Sequence, residues 1–299
     1  MRFLRYTALI LICTLTLCSC KDFKKGFEEG YDQAKEQNEA KKDTLVEVYA
    51  FDGGTVMANN LNLFAQGDTY KGESKQLKDA FFVIKHPKGV LLWDTGLPEG
   101  LVGQEPYTPE GGAFTISRSD SIKTQLAQAN IKIEDVDYIA FSHIHFDHTG
   151  GASHFADATW LVQQQELDFI NSEAIKGNSF YDPSSFAQLK NKQVISNTDH
   201  DVFGDGSVVI KYMPGHTAGH QSLYLNLANN GPTLLTGDIY HFEQNREERI
   251  VPQFNYDIQQ TEKSIEAFEA FAKAKNAKVI IQHDPEDFAA LPVAPKSMN

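Results

Sequence analysis

The stretch FSHIHFDHTGG, at positions 141–151, constrains this chain more than any other. It follows the apolar run VDYIAF, which is typical of a buried strand. Unpaired charged or polar groups beside an apolar strand would be costly to bury, so the sequence predicts a metal site at a strand end. A solvated loop is the alternative. The candidate ligands are three imidazoles and one carboxylate: His143, His145, Asp147 and His148.

The spacing of these four residues indicates two metals rather than one. In an extended segment, His143 and His145 point to the same side. Asp147 and His148 are adjacent, so both face inward only if the chain turns there, and the Thr149-Gly150-Gly151 sequence supplies flexibility for a turn. Two ligands from each side of the turn would serve two ions lying side by side.

Three later residues extend the predicted site. His216 lies in PGHTAGH, Asp238 in LLTGD and His283 in VIIQHD, each next to a predicted strand end. Taken alone, a histidine in such a place is more often structural than a ligand. Together with the cluster, the set comprises five histidines and two aspartates. Imidazole and carboxylate suit zinc, and also manganese, iron or cobalt.

The amino terminus predicts export. A basic start is followed by an apolar run that ends in LCSC, as in a bacterial lipoprotein signal. We therefore expect a signal peptide at 1–19, a lipidated Cys20 with a charged tether over 20–44, and a catalytic domain at 45–299. The protein would be anchored to a bacterial membrane, at the periplasmic face or the cell surface. A plain signal peptide or an uncleaved anchor is the alternative.

Charge and cysteine content narrow the function further. The formal net charge of −13 argues against a nucleic-acid partner, because the phosphates would repel the chain. All three cysteines lie within the first 20 residues. The mature protein therefore has neither a thiolate metal ligand nor a cysteine nucleophile. Between 45 and 299, strands come first in groups and then alternate with helices, which predicts two packed sheets with helices outside.

The motifs resemble those of the metallo-β-lactamase superfamily. The resemblance implies an α/β fold, a four-layer αββα sandwich with two divalent metal ions. It implies that His143, His145 and His216 bind the first ion and that Asp147, His148 and His283 bind the second, with Asp238 between them. The motifs are SHIHFDHTGG, WDTG at 93–96, GHTAGH at 215–220, LLTGD at 234–238 and QHD at 282–284.

Within that superfamily, PGHTAGHQSLYL and LLWDTGLP are most similar to the N-acyl homoserine lactonases. The resemblance implies a metal-dependent hydrolase, with zinc as the expected ion, that opens the lactone ring by attack of a metal-bridging hydroxide. Asp147 would orient the hydroxide and relay its proton. Those lactonases often have a tyrosine three residues after the bridging aspartate. Here Tyr240 is two residues after Asp238 and His241 is three after, and either one, or neither, would contact the carbonyl.

Some expectations remain open at this point. Asp94 and His220 are expected to support the ligands rather than react. The alternatives to a lactonase are a β-lactamase, a phosphotriesterase, a thioesterase, an iron persulfide dioxygenase and a binding protein without catalysis. The acyl chain of the substrate needs an apolar wall, for which ordinary core packing is the competing interpretation. The candidates for that wall are Leu63, Phe64, Tyr107, Phe114, Phe180 and Phe186.

Overall fold

Two β-sheets lie face to face in the computed structural model, which describes residues 45–299. The predicted signal peptide and tether, residues 1–19 and 20–44, lie outside the described residues. In the described part of the chain, we find no helix that is both long and apolar enough to span a membrane.

The first sheet has seven strands in the order β4-β1-β2-β3-β5-β6-β7. Its first half is antiparallel and its second half, from β3 to β7, is parallel. A tight hairpin through Pro87 and Lys88 joins β2 and β3, with His86 paired to Gly89. The strands are β1 Glu47–Ala58, β2 Lys75–His86, β3 Gly89–Trp93, β4 Phe114–Ser117, β5 Tyr138–Ala140, β6 Thr159–Gln163 and β7 Lys192–Ile195.

The second sheet has five strands in the order β12-β11-β10-β9-β8. All of its pairs are antiparallel except β11 with β12, which are parallel. The strands are β8 His200–Asp201, β9 Val208–Tyr212, β10 Gln221–Leu227, β11 Gly231–Leu235 and β12 Lys278–Ile280.

Helices cover the outer faces of both sheets. The longest helix begins after Asp257, whose side chain accepts from the Gln260 N–H, and ends just before Asn276, which is in the left-handed conformation. The helices are α1 Ile122–Gln128, α2 Phe146–Thr149, α3 Gln164–Ile170, α4 Glu243–Glu248, α5 Ile258–Lys275 and α6 Pro285–Ala290.

Alternation along the strands produces three apolar layers. Leu91 packs between the two sheets with Leu223 and Ile280, whereas its neighbour Leu92 packs on the outer face with Leu126 of α1. On the far side, α5 packs a similar layer against the second sheet. Because successive side chains point to opposite faces, each buried strand serves two layers. The predicted four-layer αββα sandwich is confirmed.

The register of the strands decides where polar side chains emerge. Leu235 of β11 pairs with Ile280 of β12, and the two strands are parallel. Asp238 and His283 each follow their paired residue by three positions, so both emerge at the same edge of the second sheet. The segment that begins at His143 leaves β5 of the first sheet at the facing edge.

A candidate metal centre between the sheets

A short helix makes the turn that the sequence predicted after His145. His145 is extended and lies just before α2, while Asp147 and His148 lie in that helix. Gly150 is needed for close packing rather than for flexibility. A Cβ atom there would lie 2.2 Å from the Leu97 carbonyl carbon. The start of α2 packs closely against the loop after β3. The two pairs of the motif, His143 with His145 and Asp147 with His148, therefore lie on either side of the turn.

The first group of ligand atoms comes from three histidines. His143 Nε2 lies 2.7 Å from His145 Nδ1, and His216 Nε2 lies 3.1 Å from each of them. Asp238 Oδ2 lies 3.4 Å from His216 Nε2 and 3.7 Å from His143 Nε2. All four side chains are buried. These atoms surround one point, as the ligands of a single ion do.

The second group lies on the other side of Asp238. His283 Nε2 is 3.2 Å from His148 Nε2. Asp147 Oδ1 lies 3.9 Å from His148 Nε2, and Asp147 Oδ2 lies 3.9 Å from His283 Nε2. Asp238 Oδ1 is 3.1 Å from His283 Nε2 and 3.3 Å from His148 Nε2. One carboxylate therefore directs one oxygen to each group. The structure brings all seven sequence-predicted ligands together in two sets.

In each of the five histidines, the ring nitrogen that faces away from the ligand group contacts an oxygen atom of another residue. Such contacts fix the ring orientation and the tautomer of metal-binding histidines. The pairs are His143 Nδ1 with Ser142 Oγ at 3.1 Å, His145 Nε2 with Tyr181 Oη at 3.3 Å, His148 Nδ1 with Asp94 Oδ2 at 3.1 Å, His216 Nδ1 with Asn255 Oδ1 at 2.9 Å, and His283 Nδ1 with the Lys78 carbonyl oxygen at 2.7 Å.

This arrangement fits divalent cations. Acceptor oxygens outside His148, His216 and His283 place the proton of a neutral ring on its outer nitrogen, so that the inner nitrogen has a lone pair. Lone pairs facing one another at about 3 Å repel unless a cation lies between them. Asp238 Oδ1 is buried 3.1 Å from His283 Nε2 and 3.3 Å from His148 Nε2, but neither contact has hydrogen-bond geometry, so its lone pairs are free to bind a cation.

A family model independently matches this chain. The model of the metallo-beta-lactamase superfamily matches residues 79–283, which is more than half of the sequence. The chain belongs to the metallo-beta-lactamase superfamily. That range contains all seven predicted ligands, from His143 to His283.

Relatives of this superfamily member include several N-acyl homoserine lactonases. It is 29% identical to N-acyl homoserine lactonase AttM of Azorhizobium caulinodans over 262 residues, which cover 84% of this chain and 98% of that protein. It is also 29% identical to N-acyl homoserine lactonase AiiA of Bacillus thuringiensis subsp. kurstaki over 222 residues, covering 72% of this chain and 84% of the relative.

A solved structure extends the likeness to three dimensions. This superfamily member matches an N-acyl homoserine lactone hydrolase, solved with the product N-hexanoyl-L-homoserine bound at its catalytic metal centre, with a TM-score of 0.74. The two are 26% identical, and the match covers 85% of this chain and 99% of the other.

The histidines of the two ligand groups differ in the direction of their pKa shifts. Burial lowers the pKa of His145 to about 3 and lowers the pKa of His143 and His216 as well. The three imidazole rings are therefore neutral, as metal-binding histidines must be. Burial also opposes charge on His283, but Asp238 outweighs it and raises the pKa to about 9. A cation entering the second group would displace that proton.

Of the two candidates after Asp238, the structure brings only His241 to the site. Its Nε2 lies 3.0 Å from Asp238 Oδ2, and its ring stacks on His283 with centroids 5.7 Å apart. The Tyr240 prediction needs correction. The Tyr240 hydroxyl donates to Glu269 Oε1 at 3.1 Å, in the helix layer. The chain is extended at Tyr240, so adjacent side chains point to opposite sides.

Asp94 and His220 support the ligands, as predicted. Asp94 accepts from the Ser142 N–H at 2.6 Å and from Gln282 Nε2 at 2.9 Å, in addition to its contact with His148. His220 Nε2 accepts from the Asp238 N–H at 2.9 Å, and its Nδ1 donates to the Met213 carbonyl. Neither side chain is exposed to the cavity above the ligands.

An apolar cavity of about 30 Å³ lies above both ligand groups. Of the predicted wall residues, Phe64, Phe114 and Phe180 line it. The prediction is wrong for three residues that do not line the cavity: Leu63, Tyr107 and Phe186. Tyr107 is 54% exposed, Leu63 packs beside the apolar cluster behind the cavity, and Phe186 packs in the core against Phe141 and Trp160.

Sequence reasoning missed Phe254, which forms the roof of the cavity. Its ring stacks on Phe180 with centroids 5.5 Å apart and meets Phe64 edge-on at 5.3 Å. It also lies 5.7 Å from the ring centroids of His216 and His241. No sequence signal marked it, because Phe254 lies in a loop 190 residues beyond Phe64 and their contact arises only on folding.

Proposed function

We propose that this chain is a dinuclear metal-dependent lactonase that opens the ring of N-acyl homoserine lactones. The observation that carries the proposal is the pair of ligand groups that share Asp238 beneath an apolar cavity. The named relatives and the solved neighbour with bound N-hexanoyl-L-homoserine support the same substrate class. An iron dioxygenase would need a single ion, which leaves the second group without a role.

The seven ligands would hold two divalent ions, and we propose zinc. His143, His145 and His216 would hold one ion, Asp147, His148 and His283 the other, and Asp238 would contact both. When bound, such ions lower the pKa of water towards neutrality and polarise a carbonyl oxygen. Residues 45–299 contain no cysteine, and nitrogen and oxygen donors suit zinc.

The side chains of the cavity would then orient the substrate and move a proton. Asp147 lines the cavity and faces the second ligand group, so its carboxylate is placed to accept a proton from water and return it to the leaving alkoxide. We assign to His241 the role of hydrogen-bond donor to the lactone carbonyl, since the Tyr240 hydroxyl faces Glu269. The phenylalanines of the wall would exclude water and contact the acyl chain.

A substrate panel tests the proposed reaction. The purified protein is loaded with zinc and assayed with acyl homoserine lactones of several chain lengths, a cephalosporin, a phosphotriester and a thioester. We expect turnover of the lactones to exceed that of the other substrates. The variant His145→Ala should lose both lactone hydrolysis and metal. Hydrolysis at the wild-type rate by that variant, or no lactone turnover by the parent protein, would contradict the proposal.

We also propose that the protein is exported and lipid-anchored through Cys20. The basis is the sequence alone: the signal at 1–19, the LCSC motif and the charged stretch 20–44. In a bacterial host, the full chain should fractionate with membranes and incorporate radiolabelled palmitate. The Cys20→Ser variant should do neither. If both chains distribute equally between membrane and soluble fractions, the anchor assignment is wrong.

A further inference from the structure

A buried carboxylate outside the ligand set binds the loops of the first group together. Glu166, in the first turn of α3, is only 3% exposed. Its Oε1 accepts from the Ile144 N–H at 3.2 Å and from Thr217 Oγ1 at 2.8 Å, and its Oε2 accepts from the Gly219 N–H at 2.7 Å. No lysine or arginine pairs with it among residues 45–299.

The three donors belong to the two loops that supply the first ligand group. Ile144 lies between His143 and His145, and Thr217 directly follows His216. Gly219 completes the contact, since a Cβ atom there would lie 2.5 Å from the Glu166 backbone nitrogen. The start of α3 is thus pressed against the His216 loop, and the carboxylate fixes the distance between that loop and the two histidines of the first motif.

Only an acceptor-only side chain satisfies this position. Burial raises the pKa of Glu166 to about 7, but each of its oxygens faces at least one N–H or O–H, and these donors favour the ionised form, which has no hydrogen of its own. In a glutamine of the same shape, the Nε2 would meet either the Gly219 N–H or the Thr217 and Ile144 donors. Because the site is buried, the donor left without an acceptor would push the loops apart.

The second ligand group has a carboxylate of its own. Asp94 Oδ2 lies 3.1 Å from His148 Nδ1, and Asp94 accepts from the Ser142 N–H and from Gln282, the residue before His283. None of the three Glu166 contacts reaches that group, and Asp94 makes no contact with the His216 loop. Glu166 therefore supports the loops of the first group alone. Asp94 supports mainly the second group, and it reaches the first only through Ser142, whose Oγ lies 3.1 Å from His143 Nδ1 and from His148 Nδ1.

We propose that Glu166 is a positioning residue that sets the geometry and affinity of the first metal subsite, while Asp94 does so mainly for the second. The inference rests on the proposed dinuclear centre. It goes beyond that proposal because it states that the two subsites can be weakened unequally by residues that touch neither ion.

Cobalt(II) titrations of the metal-free protein test this inference without an activity measurement. Visible absorption and calorimetry give the affinity of each subsite, and His216→Ala supplies the spectrum of a protein with a damaged first subsite. We expect Glu166→Gln to weaken the first subsite about 10- to 100-fold and to leave the second unchanged. Asp94→Asn should weaken the second subsite more than the first, because Asp94 contacts His148 directly and His143 only through Ser142. Glu166→Asp, which keeps the acceptors on a shorter side chain, should restore part of the first-subsite affinity.

A milder variant keeps the test valid if Glu166→Gln does not fold. Thr217→Val removes one of the three donors, retains the carboxylate, and should weaken the first subsite by a smaller factor in the same direction. Parent protein that binds fewer than two ions would contradict the proposed centre itself. Two ions in the parent, with equal losses at both subsites or no loss in the Glu166 and Thr217 variants, would overturn this inference alone.

Discussion

At the scale of single residues, His241 distinguishes the two candidates that follow Asp238. Its Nε2 lies beside the shared carboxylate, but its Nδ1 is buried without a partner among the described residues. It thus lacks the outer contact that orients each of the five ligand histidines. We therefore assign it to the substrate rather than to the metal shell.

The His241 assignment predicts a loss of turnover without a loss of metal. Removal of one well-placed donor to a developing oxyanion costs about 100- to 1,000-fold in kcat. We expect His241→Ala to fall in or near that range and to keep two ions per chain by elemental analysis. Tyr240→Phe serves as the control and should retain kcat, because its hydroxyl contacts Glu269. If His241→Ala retains the parent kcat, His241 is not the donor to the lactone carbonyl.

Two neighbouring glycines provide a matched test of close packing. A Cβ at Gly150 would lie 2.2 Å from a backbone carbon of Leu97, whereas one at Gly151 would lie 3.1 Å from its nearest atom. Neither has a positive φ. We expect Gly150→Ala to lower the free energy of unfolding by about 3 kcal/mol or more, and Gly151→Ala by clearly less, in urea titrations. Equal losses would contradict the backbone clash.

At the scale of elements, the strands and the ligands are predictable and the turns are not. Leu235 and Ile280 lie in apolar runs, so strands there, followed by Asp238 and His283, follow from the pattern. The side to which Tyr240 points depends on the short 3-10 turn Gly237–Ile239, where Gly237 has φ of +56°. Apolar patterning does not contain that information.

Glu166 shows a second limit of the sequence. A glutamate in the first turn of a helix is typical of a solvated helix start, where its negative charge interacts favourably with the positive end of the helix dipole. Nothing local distinguishes it from an exposed one. Its role appears only when α3 is packed against the His216 loop, which lies 50 residues further along the chain. Contacts of that kind depend on how elements pack.

The loop that carries Phe254 is predicted to set chain-length preference. It is fixed by hydrogen bonds from Gln253 N to the Leu63 carbonyl and from Tyr256 N to the His216 carbonyl. Phe254→Ala removes a roof contact without disturbing them. For lactones with long acyl chains we expect KM to rise about tenfold, which corresponds to burial of about two methylene groups, with little change for short chains.

Phe186→Ala is the control for that experiment. Phe186 is buried in the core and does not line the cavity, so the variant should lose about 3–5 kcal/mol of stability while its chain-length profile stays that of the parent. If Phe254→Ala raises KM equally for short and long chains, the loop does not contact the acyl chain.

At the scale of the whole molecule, the candidate metal centre draws its residues from both sheets. The segment with His143, His145, Asp147 and His148 follows β5 of the first sheet. His216, Asp238 and His283 follow strands β9, β11 and β12 of the second. Each ligand group draws on both sheets, so bound ions would act as cross-links between the two halves of the sandwich.

Chelation should therefore lower the thermal stability of the entire domain. Ligands that bind only the folded state raise its stability by mass action, by about 2.7 kcal/mol at 100 times Kd. We expect EDTA to lower Tm measured by calorimetry, and zinc in excess to restore it. His145→Ala should show a smaller EDTA effect. An unchanged Tm in the parent protein would mean that the ions do not bridge the sheets.

The aromatic roof has a consequence for the rate of the enzyme. A cavity of about 30 Å³ is a tenth or less of the space in which small-molecule ligands usually bind, about 300–1,000 Å³. We therefore expect Phe180 and Phe254, which stack on one another beside the cavity, to separate when a substrate enters and a product leaves. If that opening limits turnover, solvent friction controls it. With a good substrate, kcat should fall in proportion to added sucrose viscosity, and Phe254→Ala should abolish that dependence.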